Sequence, residues 1–299
     1  REKDSRSLES TAEMAQCGPS TGTSSRAAAF GYQERLGTGA FGTVHKVTRI
    51  ADGDAYCIKH VRLHDASREQ HAAALKEVNM LAAVDHPRVV AYYDSFVERG
   101  TLHIVMQLCE RGDLHLLLSR RRARALPQQA VCRYFVHALQ GLAHLHSLRM
   151  LHRDIKSRNL FLSERGLAIG DLGVARVLGS TQSMAQTLVG TPYYLSPELV
   201  EGGAYNAKSD VWALGVVLYE LMAAGSLPFT AQNQGALVLR ILRGAYEPPS
   251  HVSAYSPELL RLLGSCLQRD PSLRPTTRDM LEALSPAALA PAEPEAAPQ

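Results

Sequence analysis

The segment LHRDIKSRNLFL sets Asp154 and Asn159 five positions apart, and Asp171 follows twelve residues after Asn159 in GDLG. A carboxylate, an amide and a second carboxylate in this order suit the movement of a phosphoryl group onto a hydroxyl. That reaction needs a carboxylate beside the attacking hydroxyl to receive its proton, and hard oxygen ligands for the Mg2+ that neutralises a triphosphate. Asp154 fits the first task, and Asn159 with Asp171 the second. A polar loop of caps and Asx-turns is the bland alternative, and it does not explain the whole string.

Upstream, Gly37, Gly39 and Gly42 stand in LGTGAFGTV, where backbone amides without flanking side chains could close over phosphate oxygens. Alone the motif is weak, since the same spacing marks dinucleotide-binding turns. In those a helix follows, whereas here VHKVTRI reads as a strand. Lys59 lies on the next predicted strand, YCIKHV, and Glu77 on the following helix, in LKEVNML. An ammonium gripping α- and β-phosphate oxygens needs a carboxylate to hold its flexible stem, and Glu77 is the expected partner. Taken singly, either residue would be a solvated surface charge; the ordered set argues otherwise.

Residues 32–106 alternate short apolar strands with turns around one helical stretch, 67–84, giving a mostly antiparallel sheet with a helix against it. After about Gly112 the pattern turns helical. Pro127 opens PQQAVCRYFVHALQGLAHLHSL, and Asp210 is expected to cap VWALGVVLYELMAAG, a helix apolar nearly all round and therefore buried. The expected fold class is α+β and bilobal: a small β-rich N-lobe at about 30–106 with one main helix, a hinge at about 107–110, and a larger helical C-lobe at about 111–284. Residues 1–29 read as a disordered leader and 285–299 as a disordered Ala/Pro-rich tail.

Composition excludes several other classes. The 299 residues are 45% hydrophobic and carry a net charge of +3, from 32 Lys and Arg against 29 Asp and Glu, which argues against nucleic acid or a membrane as the main partner. The five cysteines, at 17, 57, 109, 132 and 266, show neither disulfide nor zinc spacing, and no apolar run approaches the roughly 20 residues of a membrane span. A cytoplasmic protein is expected, with flanking sequence left open because residue 1 is Arg.

The ordered set resembles the eukaryotic protein kinases over about residues 30–284. SPEL at 196–199 is similar to that family's APE segment, SDVWALG at 209–215 to its buried helix start, and Arg274 in DPSLRPT to the arginine that pairs with Glu198. Lys156 resembles the lysine of serine/threonine kinases that steadies the transferring phosphate. IVMQLCERGDL, HRDIKSRNLFL, GDLGVARVL and LVGTPYYLSPELV resemble the NIMA-related kinases more closely. The resemblance implies ATP and Mg2+, protein substrates with Ser or Thr acceptors, and work on microtubules, centrosomes, cilia or the cell cycle. It implies an ATP-binding set of Leu36, Gly37, Thr38, Gly39, Ala40, Gly42, Val44 and Cys57, with Met106 as gatekeeper and Gln107 to Cys109 as a hinge whose backbone meets adenine.

Some positions depart from the commonest pattern. Cys57 replaces the usual Ala two residues before Lys59, Leu172 the usual Phe after Asp171, and Gln107 an acidic residue at the hinge. None removes a phosphate, metal or proton-handling group. Between Asp171 and Glu198, Ser180, Thr181, Ser183, Thr187 and Thr191 lie on one loop. Thr187 is the expected activating phosphosite, meeting Arg153, while Thr191 is expected to bond Asp154 and Lys156. His144 and His146 should face different sides of their helix, and Arg120, Arg121, Arg122 and Arg124 read as a solvated loop. The competing readings are a pseudokinase scaffold and a microtubule- or centrosome-binding module; a scaffold would not need Lys59, Glu77, Asp154, Asn159 and Asp171 together.

Overall fold

The computed structural model describes residues 25–39, 42–63, 69, 78, 81, 84–122, 124–172 and 192–284. Five strands, β1 (Phe30–Gly39), β2 (Gly42–Arg49), β3 (Ala55–Arg62), β4 (Tyr92–Glu98) and β5 (Thr101–Gln107), form one antiparallel sheet in the order β1-β2-β3-β5-β4. Successive side chains of β3 point to opposite faces. Tyr56 and Ile58 pack with Val47, Phe96 and Val105 on one face, while Val61 packs with Val78, Leu81, Leu102 and Ile104 on the other. Lys59 has the parity of Val61 and so leaves the sheet on this second face. Glu69, Val78 and Leu81 are helical, and the last two are buried against it.

The C-terminal half is helical: α1 (Leu114–Arg120), α2 (Gln128–Ser147), α3 (Pro197–Val200), α4 (Ala207–Met222), α5 (Gln234–Arg243), α6 (Pro257–Cys266) and α7 (Thr277–Ala283). A two-stranded ribbon, β6 (Leu160–Ser163) and β7 (Gly166–Ile169), interrupts them. Every residue of α4 from Ser209 to Met222 is buried, as a helix apolar nearly all round requires, and Asp210 and Glu220 are buried with it. Trp212 stacks on Phe229 with ring centroids 5.4 Å apart.

Three local expectations need correction. Arg26–Ala29, assigned to the disordered leader, form a 3-10 turn against β4, because Arg26 pairs with Asp94 at 2.7 Å and the Ala27 N–H donates to Glu98 at 3.1 Å. The rest of the leader up to residue 24, the tail from residue 285 and most of the stretch 64–83 lie outside the described residues. Pro127 is the N-cap of α2, one residue before its first turn. Asp210 does not cap α4. Asn206 does, in a reciprocal box with Ser209, which frees the Asp210 carboxylate for distant partners.

Helix α2 passes so close to the connection before β4 that a Cβ on Gly141 would sit 2.4 Å from the Arg88 carbonyl oxygen. That oxygen also accepts the Ile169 N–H at 2.9 Å, so it cannot move away freely. Gly141→Ala is expected to cost about 1–3 kcal/mol in urea unfolding, through overpacking alone; a stability equal to wild type would contradict the close approach.

Candidate active site

The strand register brings together the residues expected to face a nucleotide. Leu36, Gly37, Thr38 and Gly39 close β1; Gly37 pairs with Val44 and Gly39 with Gly42 across the first hairpin. Val44 pairs with Lys59, and Cys57 with Met106. Gly42 has φ +147, and a Cβ there would collide with the backbone carbonyl of His60, so only glycine fits this turn. At the end of β5 the Gln107 N–H donates to Ala91 O at 2.8 Å, and its carbonyl accepts the Cys57 thiol at 3.4 Å. Cys109 follows, with its carbonyl taking the Gly112 N–H at 3.3 Å. Burial pushes the Cys57 thiol up to about 12 and that of Cys109 up to about 11, so neither is a thiolate at neutral pH. Ala40, Glu77, Thr187 and Thr191 lie outside the described residues. Lys59 pairs with Asp171 in this structure.

The acid-bearing loops are tied together from beneath. Asn159 gives its amide N–H groups to the Asp154 carbonyl at 2.8 Å and to Asp154 Oδ2 at 2.9 Å, so its own Oδ1 faces no donor among the described residues. Lys156 Nζ donates to Asp154 Oδ2 at 2.7 Å. The Gly170 N–H donates to Asn159 O at 2.9 Å, which sets Asp171 beside the first loop. Arg153 and Asp171 each take a left-handed backbone, φ 67 and 58, at a cost that surrounding contacts must offset.

Those contacts come from Asp210, expected only as a helix cap, and from His152. Asp210, fully buried, accepts the His152 N–H at 3.1 Å, the Arg153 N–H at 3.0 Å, the His146 Nε2–H at 2.9 Å and the Tyr205 hydroxyl. Burial raises its pKa, but the bonds from His146 and the Tyr205 hydroxyl act against burial, and it lies below the ordinary value. His152 Nδ1 accepts the Asp154 N–H at 3.2 Å, and its Nε2–H donates to Gly170 O at 3.1 Å. Burial lowers its pKa, which keeps this neutral tautomer. The HRD string holds this histidine in plain view; what was missing is its bridging partner, Gly170. His144 instead stacks on His86, so the two histidines of GLAHLHS do serve different neighbours.

A second buried carboxylate supports the turn Ser157–Asn159. Glu220 accepts the Ser157 hydroxyl at 2.9 Å and the Tyr194 hydroxyl at 2.7 Å. Further along, Arg274 forks onto Glu198 with both contacts at 2.8 Å and lies over Trp212, 4.9 Å from its ring centroid. It also donates to the carbonyls of Lys208, Gln268 and Arg269, so no donor face is left dry.

One carboxylate and one amide oxygen suit Mg2+, which keeps several waters and takes few protein ligands. Asp171 Oδ2 and Asn159 Oδ1 both lack a described donor, so the donor set present fits that ion.

Comparison with known proteins decides the family. The protein kinase domain family matches residues 30–284. The chain belongs to the protein kinase family. Within that family it is similar to several serine/threonine-protein kinases of the Nek type. It is 42% identical over 250 residues to serine/threonine-protein kinase Nek1 of Mus musculus, covering 83% of this chain and 20% of that protein. It is 42% identical over 256 residues to Nek4 of Mus musculus, 85% of this chain and 32% of that protein. Nek5 of Homo sapiens is 39% identical over 249 residues, 83% of this chain and 35% of that protein. The chain thus spans between about a fifth and a third of these curated relatives.

Glu220 gives this kinase domain a pH signature. Burial holds its carboxyl up at about 7, against an ordinary 4.5. Between those values the folded chain holds a proton the unfolded chain has lost, so this group's contribution to stability falls as pH rises from about 4.5 to about 7. His60 and His137, held down at about 4 by burial and by neighbouring cations or imidazoles, slope the other way below 6.5. The difference between wild type and Glu220→Gln in urea midpoints across pH 4–8 isolates the carboxyl. We expect it to change by roughly 1–3 kcal/mol over that window; a flat difference would mean an ordinary carboxyl.

Proposed function

We propose that this chain transfers the γ-phosphoryl of ATP to serine or threonine hydroxyls of protein substrates, with Asp154 receiving the hydroxyl proton. The observation that carries the reading is the convergence of Asp154, Lys156, Asn159 and Asp171 within one hydrogen-bonded unit, with Lys59 reaching it from the sheet. Asp154 Oδ2 is held by Lys156 and Asn159, so the carboxylate keeps a fixed orientation toward an incoming hydroxyl. Lys156 then lies next to the transferring group, where an ammonium offsets its developing charge. Lys59 would exchange its present contact with Asp171 for phosphate oxygens, with Glu77 as the holding carboxylate. Asn159 and Asp171 would hold Mg2+, which when bound neutralises triphosphate charge.

The glycines of the first hairpin, 37, 39 and 42, would cover the phosphates. Leu36, Val44, Cys57 and Met106 would enclose the adenine, and the backbone of Gln107 to Cys109 would bond its edge. Thr187 is proposed as the activating phosphosite and Thr191 as a partner of Asp154 and Lys156. The Glu198–Arg274 pair would anchor the end of the loop that carries both. Action at microtubules, centrosomes or cilia, or in the cell cycle, extends the proposal and rests on the NIMA-related type.

Purified chain with ATP, Mg2+ and a Ser/Thr peptide library is expected to give phosphopeptides. Asp154→Asn should lower kcat by about 10²–10⁴ while leaving ATP affinity within a few-fold. Equal activity in the variant would remove Asp154 from its role, and a wild type that binds ATP without turnover would favour a scaffold. Co-sedimentation with microtubules tests the added binding role separately.

A further inference from the structure

The turn Ser157–Asn159 sends its flanking side chains inward, Ser157 to Glu220 and Asn159 to Asp154, and leaves Arg158 exposed between them. Arg158 Nη2 meets His115 Nε2, on α1, at 2.8 Å. A guanidinium only donates, so Nε2 is the acceptor and the ring carries its proton on Nδ1. The pair therefore presents donors alone: the remaining guanidinium N–H groups and one imidazole N–H. Other cations of the site are taken up. Lys59 is on Asp171, Lys156 on Asp154, Arg274 on Glu198, and Arg121 on the carbonyls of Arg124 and Ala125. No carboxylate of the described residues forms an ion pair with Arg158. Asp113, the nearest in sequence to His115, accepts the Leu116 N–H at 2.8 Å as the cap of α1.

Position follows from the same turn. Asn159 Nδ2 lies 2.9 Å from the Asp154 carboxylate. Adding one asparagine side chain and one Cα step puts the Arg158 Cα within about 10 Å of that carboxylate. An extended substrate advances about 3.3 Å per residue, so the guanidinium can face residues about two to four positions from the acceptor.

We propose that Arg158, steadied by His115, is a specificity-determining residue that receives an anionic side chain of the substrate, a carboxylate or a phosphate monoester, close to the acceptor hydroxyl. The proposal rests on the phosphoryl-transfer reading above. The planar fork matches either anion in bidentate geometry, and the bond to His115 restricts a side chain that would otherwise lose rotamer freedom on binding.

The test uses peptides that differ at one position, from four before to four after the acceptor, carrying Asp, phosphoserine, Asn or Lys. At one such position the wild type is expected to favour Asp over Asn by about fivefold in kcat/KM, the scale of a partly exposed ion pair. Arg158→Gln should bring that ratio to about one, His115→Ala should lower it partway, and added salt should shrink it. Preference for Asp alone assigns a carboxylate, and preference for phosphoserine alone a phosphate. Wild-type ratios near one for both Asp and phosphoserine against Asn at every position, or a preference that Arg158→Gln leaves intact, overturn the proposal. Fluorescence anisotropy of the same peptides on wild type and Arg158→Gln gives the charge dependence without turnover. A chain that phosphorylates nothing would therefore sink the kinase reading, while anisotropy would still decide for or against Arg158.

Discussion

Asp210 is the constraint on which the rest of the site depends. Its carboxylate is fully buried, has no lysine or arginine among the described residues, and is satisfied by two backbone N–H groups, one imidazole and one phenol. A buried ion pays a desolvation cost of several kcal/mol unless its lone pairs are filled, so these donors cannot drift away singly. The two backbone donors belong to His152 and Arg153, and Arg153 is the residue in left-handed conformation just before Asp154. The carboxylate thus offsets the strain that aims Asp154, and it does so from α4, which is buried from Ser209 to Met222.

His152 carries that constraint to the second loop. Its ring takes the Asp154 N–H on one nitrogen and gives a proton to the Gly170 carbonyl from the other, so the backbone leading into Asp171 is positioned relative to Asp154. Leu172, next in the chain, packs against the apolar cluster of Val78, Leu81 and Ile104 and against Val84, Val89 and Leu145. An aliphatic plug in place of an aromatic one still joins the sheet's inner face to the helical half. The ion pair between Lys59 and Asp171 spans the same junction in polar form.

Much of this was legible in the sequence, and the failures have a common cause. The antiparallel sheet followed from alternation and from turn residues such as Asp52 and Gly53, and α4 from an unbroken apolar run. Both depend on neighbours a few residues apart. Asp210 was misread as a cap because Asn206, Ser209 and Asp210 all suit a helix start. The choice was made by partners 57 to 64 residues away, which no local pattern shows. The Ser157–Tyr194–Glu220 cluster was invisible for the same reason, its members lying up to 63 positions apart. Glu198 and Arg274, 76 apart, were paired only through resemblance to a family.

Exposure separates the residues that hold the site from those that would act in it. His152 and Asp210 are 1% and 0% exposed, whereas the side chains of Asp154, Lys156 and Asp171 are 36%, 33% and 40% exposed. Groups that meet a nucleotide or a hydroxyl have to be reachable, so their precision cannot come from being packed in. It comes instead from hydrogen bonds to a buried layer whose own polar atoms are satisfied only in this arrangement. Removing a member of that layer leaves an unpaired buried group and costs fold and chemistry together, while changing an exposed member alters chemistry with little effect on the fold. The division explains why the chemical motif could be read as a short string although the layer that makes it work is scattered over the chain.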